Sequence, residues 1–198
     1  MKIWEITAQE GSLIGYLPDK LLSKALILCG SPAAERKALH TAGASVVQMQ
    51  VAKPTAATVE KNRQSIPDFL ISWAGMATFS QRAASAAIRY GCESEEFWPC
   101  RFQSNPDEEF FLHLPVKTFD IVDVDKTTFK QILPLNPPLP MFIENLVTKT
   151  LPEHLPPFFR AERPGTDQVF SELFVRDDFK LAWQRNAFSG ADFRLLST

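Results

Sequence analysis

The sequence predicts an α+β fold, a largely antiparallel sheet with a few packed helices, organised as two related helix-strand units in one compact domain. Three observations predict it. A segment repeats: aligned without a gap, Phe79 to Phe97 falls on Val175 to Phe193, and Arg89 falls on Arg185. The apolar positions match as well, Phe79, Ala83, Ala86 and Ala87 in one copy and Val175, Phe179, Ala182 and Trp183 in the other, a spacing that sets one face of a helix against a core. Each predicted helix passes through a short glycine- or serine-containing turn into an aromatic-anchored extended segment, Glu96-Phe97-Trp98-Pro99 or Asp192-Phe193-Arg194-Leu195. Predicted strands outnumber helices and most connections are short, which favours antiparallel pairing. Finally, 16 phenylalanines and 15 prolines imply short elements broken by firm turns, with aromatic side chains supplying much of the burial.

Taken in order, Lys2 to Ile6 has strand character, and Ala25 to Cys29 is an apolar run too short to assign to helix or strand. Ser31-Pro32 opens a helix over Ala33 to Ala42, because serine caps, proline suits the first helical position and Gly43 stops the segment. Ser45 to Val51 alternates as a half-buried strand, with Val47, Met49 and Val51 on one side. Ala52 to Gln64 is polar and alanine-rich and reads as a surface connection, closed by the turn pair Pro67-Asp68. Phe69 to Ile71 follows, then the first repeated unit. Asn105 to Glu109 reads as a solvated hairpin-like loop between strands Phe97 to Phe102 and Phe110 to Leu114, and Phe119 to Val124 as a further strand. Leu133 to Pro140, with four prolines, is a rigid crossover. Pro152, Pro156 and Pro157 bracket His154 ahead of a strand at Phe158 to Arg160, and the second unit runs from Val169 through a helix at Asp177 to Asn186 into a strand at Phe193 to Leu196.

The 198 residues suffice for a sizeable core as a single domain. With 21 basic against 23 acidic residues, the chain lacks the positive excess needed to neutralise phosphates, so nucleic acid is not an expected partner. No run approaches membrane-spanning length, the N-terminus meets polar residues too early for a signal peptide, and a cytoplasmic location is expected, with no membrane partner. Cys29, Cys92 and Cys100 show no paired spacing and read as small buried hydrophobes, so neither disulfide nor metal is expected.

No phosphate loop, nucleophile elbow or zinc-binding helix motif is present. His40, His113 and His154 have no nucleophile or carboxylate placed beside them by sequence and read as structural or solvent-facing. No catalytic residues and no cofactor are expected, and the chain is read as a non-enzyme. Asp120, Asp123 and Asp125 could hold a divalent cation through hard oxygens, or, as is favoured, end an edge strand in water. Glu93, Glu95 and Glu96 precede Phe97-Trp98, and Asp107, Glu108 and Glu109 follow it. A hairpin between them could bring both groups to one edge as an acidic docking surface with Trp98 as anchor. The alternatives are plain solvation for the carboxylates and a core role for Trp98.

The order of several short segments resembles a bacterial immunity-protein family of polymorphic toxin systems, the MXAN-type family first described as a domain of unknown function. They are Pro67-Asp68-Phe69, Glu96-Phe97-Trp98-Pro99, Phe110 to Leu114, Phe119 to Asp123, Phe159-Arg160, Val169-Phe170, Phe174-Val175 and Asn186 to Leu195. They span residues 67–198, while residues 1–66 match weakly. The sequence departs from the family's usual serine at the start of the last helix, having Arg176-Asp177-Asp178, and from its Thr-Gly turn, having Ser189-Gly190. The resemblance implies a protein that binds and neutralises a cognate toxin one-to-one in bacterial competition, by occluding its active site or clamping an inactive form. Alternatives are an adaptor of a secretion system, such as a type VI apparatus, and a metal-dependent transferase using Asp123 and Asp125.

Overall fold

The repeat visible in the sequence is a repeat of strand pairing. The computed structural model describes residues 1–9, 14–16, 34, 36, 37, 39, 47–52, 66–71, 76–102, 105–130, 142–165, 168–170 and 172–196. The elements are β1 (Ile3–Ala8), β2 (Ile14–Tyr16), β3 (Val47–Ala52), β4 (Phe69–Ile71), β5 (Ala77–Ser80), α1 (Gln81–Arg89), a 3-10 turn (Ser94–Glu96), β6 (Phe97–Phe102), β7 (Asn105–His113), β8 (Thr118–Phe119), β9 (Thr128–Lys130), β10 (Phe142–Asn145), β11 (Phe158–Ala161), β12 (Leu173–Arg176), α2 (Asp177–Arg185) and β13 (Ala191–Leu195). They form an α+β fold dominated by antiparallel sheet. One sheet runs β2-β3-β6-β7-β5-β4, a second runs β13-β1-β12-β11-β8, and β9 pairs with β10. Only β3 with β6 and β8 with β11 pair in parallel among the described residues.

Four strands of each sheet correspond in register. Phe79 on β5 stands opposite Phe69 on β4 and Phe111 on β7, and Val175 on β12 stands opposite Phe158 on β11 and Trp4 on β1. Likewise Phe97 faces His113, and Phe193 faces Ile6. β4-β5-β7-β6 in one unit therefore matches β11-β12-β1-β13 in the other. The order along the chain differs: β7 follows β6 within its unit, whereas its counterpart β1 comes from the N-terminal segment. This is why a gapless alignment finds only the strand-helix-strand part.

Phe79 and Val175, assigned from sequence to helix faces, belong to the strands that precede the helices. The chain turns helical one residue after Ser80, whose Oγ accepts from the Ala83 amide at 3.3 Å as an N-cap. At the other helix Arg176 provides no side-chain cap; Asp177 and Asp178 lie in the first turn, where negative charge suits the helix N-terminus. The Asp178 carboxylate accepts from the Phe179 amide at 2.9 Å. Both helices then reverse through a residue of positive φ, Gly91 (113°) and its counterpart Ala187 (49°).

One cluster joins the units: Ile6, Phe69, Phe79, Phe97, Phe158, Val175, Phe179 and Trp183 pack with the alanines of α1. Phe158 touches Phe79 and Phe179 with ring centroids 4.9 and 4.4 Å apart. The equivalent helix positions are Ala83 and Ala87 on α1 but Phe179 and Trp183 on α2. Small residues on one helix admit large ones from the other, which fills the space to native density.

Other expectations are adjusted. Asn105 to Glu109 is the exposed outer half of β7 and not a loop, because Asn105 pairs with Phe102 across a bulge. Phe119 to Val124 is strand only at its start; Ile121 and Val122 are buried, and the Thr127 amide donates to the Asp123 carbonyl at 2.8 Å in the turn that ends the segment. Residues 34, 36, 37 and 39 are helical, as expected of Ala33 to Ala42. Ala25 to Cys29, His40, the connection after Ala52 as far as Gln64 and the whole crossover Leu133 to Pro140 lie outside the described residues.

Gly190 opens β13 with φ +89°, and a Cβ there would collide with the Phe69 carbonyl and stand 2.7 Å from the Pro67 Cβ. Gly165 also has positive φ (+74°) but has no atom within 4 Å of such a Cβ. Gly190→Ala is therefore expected to lose roughly 2 to 4 kcal/mol, strain plus displaced backbone, against roughly 1 kcal/mol for Gly165→Ala. Urea unfolding of the two variants checks the order; equal losses would contradict it.

Candidate functional site

Asp68 sits just before β4 and is 4% exposed. Its carboxylate gathers groups from both units. Ser80 Oγ donates to Oδ1 at 2.6 Å and Arg82 Nε to the same oxygen at 2.6 Å, while Arg82 Nη2 donates to Oδ2. From across the molecule the Ser189 amide and hydroxyl donate to Oδ2 at 2.9 and 3.0 Å. Burial alone would raise the Asp68 pKa, but the donors from Arg82, Ser80 and Ser189 together hold it below the ordinary 3.8. The carboxylate is fixed as an anion at neutral pH, with its guanidinium partner in fork geometry.

This network forms one end of an open groove of about 610 Å³ whose other walls carry Arg101, Asp107, Glu108 and Glu109. The Arg82 charge is matched by Asp68, and its guanidinium also covers the Phe188 ring at 5.1 Å from the centroid. Arg101 and Glu109 approach to 3.4 Å, and both are about half exposed. Such a pair contributes little stability but cancels locally. Asp107 and Glu108 form no ion pair among the described residues, so within that set the rim carries two negative charges without a matching cation. Three of the carboxylates predicted from sequence thus lie together on the outer half of β7.

The other predicted group does not join them. Glu93, Glu95 and Glu96 precede β6 and flank the far end of the hairpin, since Phe97 faces His113 while Phe102 faces Asn105. Five residues of strand at about 3.3 Å each separate the two ends, about 16 Å. The hairpin keeps the acidic groups apart, the reverse of the sequence expectation. Glu93 is paired with Lys117 at 3.0 Å and Glu95 is exposed. Glu96 is 4% exposed and turned inward, where it accepts from the Val116 and Glu93 amides at 3.1 and 3.3 Å. It cannot belong to an exposed surface without unfolding its turn. Trp98 is half-buried and packs against the cluster of Leu70, Met76, Cys100, Phe102, Phe110 and Leu112, which favours its core role.

Among the remaining candidates, Asp120 pairs with Lys149 and Asp123 with Lys126, at 2.7 and 2.9 Å. His154 is exposed. Cys92 and Cys100 are buried free thiols, as expected, and burial pushes the Cys92 thiol up to about 12. A covered, protonated thiol is a poor nucleophile. Among the described residues, the group able to share a metal ion is Cys92, Glu96 and His113, none of which lines the groove. Sequence reasoning did not single out Arg82, Arg101 or Ser189; the Ser-Gly turn before the last strand was the one signal near them.

Because the Asp68 carboxylate is more acidic folded than unfolded, its stabilisation is complete above about pH 4 and fades as pH falls through its folded value. Asp68→Asn is expected to lose roughly 2 kcal/mol at pH 7, with the gap to wild type narrowing below pH 4. Unfolding measured by denaturant at pH 7 and pH 3 checks this; a gap that does not change with pH would place the stabilisation elsewhere.

No helix among the described residues is long and apolar enough to cross a membrane. Compared with known proteins, the chain matches no protein-family model and no curated protein.

Proposed function

We propose that this chain is an immunity-type binding protein that acts in the cytoplasm and neutralises a cognate toxin by one-to-one contact through the groove beside Asp68. The observation that carries the reading is the acidic rim at Asp107 and Glu108, set on a β-strand and beside a network that fixes its neighbours. A rigid acidic concavity suits a basic, protruding element of a partner, whose arrival charge would accelerate and whose fit would be retained by shape. The ordered sequence resemblance to immunity proteins supports the same reading. So does the state of the two described thiols, buried and protonated, which suits contact better than covalent chemistry.

Inhibition then follows from position. A partner loop seated between Arg82, Arg101 and the β7 carboxylates would exchange hydration for ion pairs, and the Asp68 carboxylate would hold Arg82 and the Ser189 turn in place at one end. The transferase reading on Asp123 and Asp125 gains no comparable support, since Asp123 carries Lys126 and Asp125 is exposed.

Co-expression with the product of a neighbouring toxin gene tests the proposal by cell survival and by recovery of a one-to-one complex. Reversal of Asp107 and Glu108 to lysine is expected to weaken the complex about tenfold or more at low salt, with the difference shrinking as salt rises. Reversal of Glu93 and Glu95, at the far end of the hairpin, should change affinity less than threefold. No rescue and no complex would sink the proposal; loss confined to the Glu93 and Glu95 variant would move the interface to that end.

A further inference from the structure

Behind the sheet, three side chains converge from separate stretches of chain. Cys92 follows the Gly91 reversal after α1, Glu96 closes the 3-10 turn, and His113 ends β7 opposite Phe97. All three are at least 95% buried, and one ligand atom from each lies within 4.8 Å of the other two. His113 is 1% exposed, and neither ring nitrogen has a hydrogen-bond partner. Its Nε2 stands 3.8 Å from Glu96 Oε2, too long for a hydrogen bond. A nitrogen and an oxygen on one tetrahedral ion stand roughly 3.3 to 3.5 Å apart for bonds of about 2.0 to 2.2 Å, so a closure of a few tenths of an ångström would bring the pair to ligand spacing.

The scaffold does not demand a thiol or an imidazole here. In the other unit the corresponding positions are Phe188, Asp192 and Ile6, two of them apolar, and Phe188 packs against Trp183 with centroids 5.0 Å apart. One copy sets Phe188 and Ile6 beside the Asp192 carboxylate; the other sets a thiol and an imidazole beside the Glu96 carboxylate. Imidazole nitrogens that make no hydrogen bond, with the Glu96 carboxylate at 3.8 Å on one side and the rings of Phe79, Phe97 and Phe158 around, are costly unless something meets them.

We propose that Cys92, Glu96 and His113 form a structural site for a divalent, thiolate-accepting cation of the zinc or cobalt(II) type. Thiolate, carboxylate, neutral imidazole and a doubly charged ion sum to zero, so the buried group becomes electrically neutral, with one more neutral ligand completing a tetrahedron. The bond formed is Cys92 Sγ to metal; the bond broken is S–H, and its proton leaves to solvent. Sequence spacing could not reveal the set, since His113 arrives only through the β6–β7 register.

The test uses the full chain, stripped with a chelator and titrated with cobalt(II) and then zinc. Expected are one equivalent bound, a thiolate-to-cobalt charge-transfer band that zinc removes, a higher thermal midpoint, and an apparent affinity rising about tenfold per pH unit as the single thiol proton is displaced. His113→Phe and Cys92→Ala, both apolar replacements in an apolar shell, should abolish the band. No band with excess cobalt, or a band that survives in Cys92→Ala, would overturn the proposal. Should the variants fail to fold, X-ray absorption of the zinc-loaded wild type decides: one sulfur in the shell supports the site, and a shell without sulfur overturns it. This readout is independent of any toxin, so it stands or falls apart from the groove.

Discussion

The two units are held in one geometry by a single carboxylate. Asp68 is placed by its own backbone, which accepts from the Ser80 amide at 2.9 Å, and its side chain then binds the cap serine of α1, the guanidinium of Arg82 and both donors of Ser189. A buried anion with that many donors is stable only where all of them stand, because each lost donor leaves charge unmet in a dry place. Its demands propagate. Ser189 must reach it, so the following residue must pass within touching distance of Phe69, and glycine is the residue that fits. The Phe69 amide then donates to the Ser189 carbonyl at 3.2 Å, seating the turn of one unit on the first strand of the other.

Hydrophobic packing supplies the bulk of the adhesion between the units, and the polar link supplies its register. The aromatic cluster around Phe158 and Phe79 would tolerate small slides, since ring contacts are broad minima. A fork-shaped ion pair with three further donors is not tolerant in this way. The groove inherits that rigidity: its wall at Arg82 is fastened to its floor at Asp68, and Glu109 and Arg101 face each other across neighbouring strands. Charges on such a surface keep their spacing, which is what selective contact with another macromolecule requires.

Much of the fold was legible because it rests on local periodicity. The strands at Ile3, Val47, Phe69, Phe97 and Phe158 and the helix at Asp177 follow from alternation, capping and apolar spacing, and the duplication follows from matching stripes. Phe79 and Val175 were counted in the helical stripes because they fit the 3.6-residue spacing as well as they fit a strand facing the same core. Long-range register was the larger gap. Whether Glu93 and Asp107 meet depends on which ends of β6 and β7 abut, and whether Glu96 faces water depends on a one-turn 3-10 segment. Neither leaves a mark in composition. The same holds for Arg82 and Ser189, distant in sequence and joined only through Asp68.

The permuted order of strands has a consequence for how the molecule comes into being. β1 lies between β12 and β13, so a segment that leaves the ribosome well before them can satisfy its amides only after residues 173–195 have been made. Until then Ile3 and Ile6 have no lasting cover, and the aromatic cluster that needs Ile6 stays open. The half containing β4 to β7 pairs within itself and can condense early, whereas the other half closes last, by threading the oldest strand between the two youngest. Assembly is therefore expected to be late and all-or-none for that sheet, with the nascent N-terminal strand the segment most in need of chaperone protection.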